Sequence, residues 1–133
     1  MTLIDTNVLL DLATDDPRFA DWSIAQLEAA SLTGPLLIND VIYAELSVRY
    51  ETKEALDAFV NGIGLKHVAI PAAALFLAGK VFRQYRKAGG TRSGVLPDFF
   101  IGAHAAVAQT PLLTRDLGRY RRYYPTVRLI TPI

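Results

Sequence analysis

The sequence predicts an α/β domain with a mainly parallel sheet of about five strands and helices on both faces. Two observations predict it. Short runs that are apolar throughout recur along the chain, among them Leu3-Ile4, Leu36-Leu37-Ile38 and Leu112-Leu113. Strands buried on both faces of a parallel sheet read this way. Between these runs lie longer segments with helical spacing and recognisable caps, and no repeat, linker or second domain breaks residues 1–133.

In chain order, Leu3-Ile4 is the first expected strand, and a helix starts near Val8 with Thr6 or Asn7 as its cap. Asp15-Asp16-Pro17 ends that helix, and a second runs through Trp22 and Leu27 to Thr33-Gly34-Pro35. Leu36-Leu37-Ile38 follows as a strand. Asn39 or Asp40 then caps a helix holding Ile42, Glu45 and Leu46. Thr52 caps the next, with Leu56, Phe59 and Val60 on one face and Gly62 and Gly64 as its stop. A third strand is expected over His67-Val68-Ala69-Ile70, after which Pro71 opens a long helix ending near Lys87. The stretch from Ala88 to Gly94 reads as a flexible basic loop. An alanine-rich helix runs from Leu96 to Gln109, and Leu112-Leu113-Thr114 and Val127-Arg128-Leu129-Ile130 complete the sheet.

Bulk properties exclude several classes. A chain of 133 residues can bury roughly two-thirds of its unfolded surface, which is enough for a full core. The absence of cysteine removes disulfide frameworks and thiolate metal sites. No apolar run approaches the ~20 residues of a membrane span, and no signal peptide is apparent. A cytoplasmic location with no membrane partner is the expectation. The net charge of +1 conceals an asymmetry. Residues 1–79 hold eleven acids and four bases, net −7, whereas residues 80–133 hold ten bases and two acids, net +8. A basic half of this kind suits an anionic partner such as nucleic acid, or attraction between the two halves of the fold.

The two acids in the basic half are Asp98 and Asp116. Asp5 and Asp116 each follow an apolar strand-like run directly, Asp98 follows Pro97 at a helix start, and Glu45 lies about a turn and a half into a helix that follows a strand. In open parallel sheets ligands collect beyond the carboxyl ends of the strands. Acids gathered there repel one another unless a cation is present. Oxygen ligands without nearby cysteine or histidine favour Mg²⁺ or Mn²⁺ over zinc. Such an ion suits cleavage of a phosphodiester by water. Each acid also has a plain structural role available: a helix cap for Asp5 or Asp116, a first-turn acid for Asp98, a solvated position for Glu45.

These residues resemble a known family. Asp5-Thr6-Asn7-Val8-Leu9-Leu10-Asp11 looks like the opening motif of PIN-domain nucleases, and Ile38-Asn39-Asp40-Val41-Ile42-Tyr43-Ala44-Glu45-Leu46 looks like their second. Asp98-Phe99-Phe100-Ile101-Gly102-Ala103-His104-Ala105 is similar to the third. Leu113-Thr114-Arg115-Asp116, followed by Tyr120 and Pro125, resembles the fourth. The compact length resembles VapC-type toxins of toxin–antitoxin pairs. The resemblance implies a three-layer α/β/α domain and a Mg²⁺- or Mn²⁺-dependent endoribonuclease with Asp5, Glu45, Asp98 and Asp116 as catalytic, metal-binding acids. It also implies Asn7 and Thr114 as supports that hydrogen-bond those acids, a cognate antitoxin and a homodimer. Asn39 stands where serine is common and Ile42 where threonine is common, and neither is an expected ligand. The alternative is a PIN-fold module that binds RNA or protein without catalysis, and a carboxylate-metal DNase or phosphatase is a third reading.

Arg92, Arg115 and Arg119 are candidate RNA contacts, and the tract around Tyr120, Tyr123 and Tyr124 is either a stacking surface or a solvated turn. His104 reads as a packed histidine, His67 has no evident partner, and Asp11 lies away from the metal.

Overall fold

The structure is a computed structural model that describes residues 1–92, 94–116 and 118–132. Its centre is a five-stranded parallel sheet in the order β3-β2-β1-β4-β5. The strands are β1 (Thr2–Ile4), β2 (Leu36–Ile38), β3 (Leu65–His67), β4 (Leu112–Leu113) and β5 (Leu129–Ile130). The helices are α1 (Thr6–Ala13), α2 (Ala20–Ser31), α3 (Asp40–Ser47), α4 (Lys53–Ile63), α5 (Ala72–Lys87), α6 (Leu96–Ala108) and α7 (Gly118–Tyr123). The central strands β1, β2 and β4 are buried at every position, as wholly apolar runs require.

From β1 the chain steps one way to β2 and β3, then jumps back over β1 to β4 and β5. Parallel crossovers are right-handed almost without exception. The reversal therefore places α1–α4 on one face and α5–α7 on the other. Packing agrees: α1 meets α2 and α3, and α6 meets α5 and α7, while α3 also touches α6. β1 and β4 are hydrogen-bonded neighbours on either side of the reversal, and such a switch point opens a crevice at the carboxyl ends of its strands.

Several local features differ from the sequence expectation, among them shorter fourth and fifth strands, Leu112–Leu113 and Leu129–Ile130. The cap of α1 is Asp5, whose Oδ1 accepts the Thr6 amide at 2.8 Å, so the helix starts earlier than a Thr6 or Asn7 cap allows. The third strand covers Leu65–His67, not His67–Ile70. Gly64, left-handed at φ 82°, caps α4 and turns the chain directly into register with β2, so Leu36 pairs with Leu65. Gly62 lies inside α4. A short helix, α7, replaces the expected turn after Asp116. Its Tyr120 is fully buried and Tyr124 nearly so, not half-exposed on a solvated surface. Ser93 of the expected basic loop and Leu117 of the expected turn lie outside the described residues.

α7 fits closely against α6 because of Gly102. A Cβ there would lie 2.3 Å from the Tyr124 ring. The Tyr124 hydroxyl donates to the Phe99 carbonyl of α6 at 2.7 Å. Phe99 also packs edge-on against Tyr85 of α5 and Tyr123 of α7, at 5.5 and 5.2 Å between ring centroids. This face of the sheet is thus joined by aromatic contacts that fix where the residues after β4 can go.

Candidate active site

The crevice at the β1/β4 switch point holds a cleft of about 200 Å³ lined by Asp5, Thr6, Asn7, Leu10, Glu45, Asp98 and Asp116. All four acids singled out in the sequence therefore meet in one place. Asp5 enters from the end of β1, Glu45 from α3, Asp98 from the first turn of α6, and Asp116 from the segment between β4 and α7. A larger hollow of about 510 Å³ lies at the opposite, amino-terminal edge of the sheet, between the end of α6 and the approach to β5. Its lining has no carboxylate, imidazole or lysine, and of these two hollows the four acids line only the smaller cleft.

Asp5 is the most constrained of the four. Its amide donates to the Leu113 carbonyl at 2.9 Å, which extends the β1–β4 ladder to the site. Its Oδ2 accepts the Thr114 hydroxyl at 2.7 Å and the Asn7 side-chain amide at 3.3 Å. Burial pushes the Asp5 carboxyl up to about 7, against the Thr114 hydroxyl and the Thr6 amide, which pull it down; the charge of Asp98 adds to the upward push. Asp98 is also raised, first by burial, while Arg119 lowers it and Glu45 and Asp116 raise it. The cleft thus resists holding all its negative charge at once. Tyr120 lies beneath it, and burial and the Asp5 charge raise its pKa well above 10. Its hydroxyl approaches Asp5 without reaching full hydrogen-bond geometry.

Glu45 is oriented by Thr6, whose hydroxyl donates to its Oε1 at 2.6 Å. Thr114 also accepts the Asp116 amide at 3.0 Å, so one hydroxyl links two of the acids. Asn7 accepts the Arg115 amide at 3.2 Å. Arg119 donates to Asp98 and lies 3.9 Å from Asp116. Among the described residues, no three acids or histidines are drawn together as a ready-made ligand set.

The arginines differ. Arg115 turns away from the cleft into a two-point pair with buried Asp11, at 2.7 and 2.9 Å, with Phe19 4.2 Å beneath its guanidinium. Arg119 faces the acids. Arg92 is exposed, and its backbone amide donates to the Tyr85 hydroxyl at 3.1 Å. Asp11, with Ser23 donating to it at 2.9 Å, is apart from the cleft lining. His104 is buried and accepts from Asn39 at 3.1 Å, while Asn39 also caps α3 through Ile42. His67 has a partner after all: it bonds Asp40 at 2.6 Å and stacks on Tyr43.

Sequence reasoning missed the role of Thr6, although Thr6 stands between two residues already assigned to the site. It singled out Tyr120 and Arg119 but not their places, Tyr120 beneath the cleft and Arg119 on its acids, which depend on α7 being helical.

Fold and cleft together define a class: a parallel α/β domain with four carboxylates gathered at the sheet's switch point. The PIN domain family model matches residues 2–124, and the chain belongs to the PIN-domain family. No curated protein matches it significantly. Among solved structures, it is similar to VapBC2 from Rickettsia felis bound to a DNA fragment from its promoter: 19% identity, TM-score 0.75, covering 98% of this chain and 97% of that one. A toxin–antitoxin complex from Klebsiella pneumoniae gives 20% identity and a TM-score of 0.70, covering 100% and 98%. FitAcB from Neisseria gonorrhoeae gives 19% and 0.69, covering 99% and 98%. At these identities the likeness is one of fold.

Proposed function

We propose that this chain is a Mg²⁺- or Mn²⁺-dependent endoribonuclease and the toxin of a VapBC-type toxin–antitoxin pair, acting in the cytoplasm as a homodimer. The observation that carries the reading is the convergence of Asp5, Glu45, Asp98 and Asp116 on one cleft at the switch point, where burial raises Asp5 and Asp98. A donor set of four carboxylates, two of them (Asp5 and Asp98) raised by burial, fits a hard divalent cation. These four acids would hold it. The chemistry that such an ion supplies is positive charge beside the scissile phosphate and a lowered pKa for water in its shell.

The chain's own residues prepare the cleft. Thr114 and Asn7 hold the Asp5 carboxylate in one orientation, and Thr6 does the same for Glu45. Arg92 offers its exposed side chain to the RNA backbone. Arg119 is near enough to the acids to meet a phosphate bound there, whereas the Arg115 guanidinium is already engaged by Asp11. The partner reading is supported by the fold, since the similar structures include toxin–antitoxin complexes.

The test is cleavage of structured RNA in Mg²⁺ by the wild type, Asp5→Asn and Asp98→Asn. Both variants should lose at least about a hundredfold, and a chelator should abolish wild-type cleavage. Equal activity in all three sinks the assignment. Competition from DNA and a small phosphate ester identifies the substrate class. One observation favours a second reading, a non-catalytic RNA-binding module: Arg119 already neutralises Asp98. That module binds RNA in chelator and after either acid is removed, and cleaves none.

A further inference from the structure

Resting on the metal-dependent reading of this cleft, we propose that Arg119 is a built-in counter-ion that competes with the divalent cation for Asp98 and Asp116, so that its side chain must leave the acids for the cleft to load. Arg119 Nη1 donates to Asp98 Oδ2 and lies 3.9 Å from Asp116 Oδ2. Among the described residues, no other ion pair reaches any of the four acids. Arg115, four residues earlier, is bound in the opposite direction by Asp11 and Phe19 and is not available for the role.

The location of Arg119 permits movement of the side chain alone. It stands in the first turn of α7, next to Tyr120, which has no exposed surface. Tyr124, just past the helix, is bonded to the Phe99 carbonyl and packed over Gly102. The backbone that carries Arg119 is therefore fixed to α6. Its side chain is 25% exposed and ends on carboxylates that are 26% and 39% exposed, so the pair is open to water on one side. A guanidinium in that position offsets part of the repulsion among the acids. It also repels any second cation drawn to them. The same residue thus stabilises the unloaded cleft and weakens its affinity for the ion.

The experiment is Mn²⁺ titration of the full chain, read from the electron paramagnetic resonance signal of free Mn²⁺, at about pH 8 so that Asp5 is ionised. Wild type, Arg119→Ala, Arg119→Gln and Asp98→Asn are compared, with circular dichroism confirming the fold of each. Both neutral variants at position 119 should bind Mn²⁺ at least about tenfold more tightly than wild type, and Asp98→Asn more weakly. If wild type binds Mn²⁺ through Asp98 but both neutral variants bind equally or more weakly, the inference fails and the metal site stands. If neither wild type nor the neutral variants bind Mn²⁺, the metal-dependent reading itself fails, and the inference with it.

Discussion

Asp5 does two things that the sequence offers as alternatives. It caps α1 through the Thr6 amide, and it enters the acid cleft through its other oxygen. The cost is visible in its proton affinity. The unfolded chain ionises Asp5 near 3.8, whereas the folded chain keeps the proton to about 7. A folded-state pKa raised in this way means the folded form binds more protons across that window. Its contribution to stability is therefore full below about pH 4 and is lost as pH rises towards 7, by up to roughly 4 kcal/mol. His104, which burial lowers, acts in the opposite sense at the acid end, so the comparison must isolate Asp5. Urea unfolding of wild type and Asp5→Asn in chelator does so: the difference between them should shrink towards low pH. A difference constant with pH would show that Asp5 is not held protonated. Thr114 gives a second prediction at this scale. Thr114→Val removes the donor to Asp5 and the acceptor for the Asp116 amide. Cleavage should fall by about 10–100-fold, as for other residues that orient metal ligands, with a loss of only about 1–2 kcal/mol in unfolding. Unchanged cleavage would mean that the hydroxyl does not position the acids.

Among the elements, α7 matters most because it carries Arg119 into the cleft and Tyr120 beneath it. Its seat on α6 depends on Gly102, where any side chain meets the Tyr124 ring. Gly102→Ala should destabilise by about 1–3 kcal/mol, the usual cost of overpacking. Calorimetry reads it, and an unchanged melting temperature would show that α7 is not seated as described. The Asp11–Arg115 pair ties α1 to the segment after β4. Arg115→Met should cost about 3–5 kcal/mol because it leaves Asp11 buried and unpaired, whereas Asp11→Leu with Arg115→Met should recover most of that loss. Additive losses in the double variant would count against the pair as the source of the effect.

Across the whole molecule, the charge asymmetry becomes spatial. The first half supplies β1–β3 and α1–α4 with Asp5 and Glu45, and the second half brings Asp98 and Asp116 on a basic background. The acids sit where the two halves meet. RNA affinity should therefore fall linearly with the logarithm of salt concentration, with a slope that drops by about one for each phosphate-contacting cation removed, Arg92 first. Filter binding across a salt series checks this, and an unchanged slope in Arg92→Ala removes Arg92 from the interface. Among the described residues no helix is long and apolar enough to cross a membrane.

Much of the fold was legible because the apolar runs at Leu36–Ile38 and Leu112–Leu113 are buried strands with no other reading, and Asn39 and Thr52 cap helices as their side chains predict. The third strand was misplaced because Val68-Ala69-Ile70 is more apolar than the edge strand Leu65–His67, whose position comes from the Gly64 turn and pairing with β2. α7 was missed because a six-residue helix rich in arginine and tyrosine has little periodicity of its own; its packing on α6 forms it. By itself, then, the sequence determined the α/β class, since strand burial is a local property of the chain; it singled out Asp5 and Asp116 as strand-end acids, while Glu45 and part of the case for Asp98 rested on the resemblance to PIN-domain motifs. Only the tertiary structure decided that β1 and β4 are neighbours across a switch point, and that Arg119 reaches Asp98. Strand order and helix seating depend on contacts between segments about a hundred residues apart, such as Thr114 with Asp5, which no local pattern encodes.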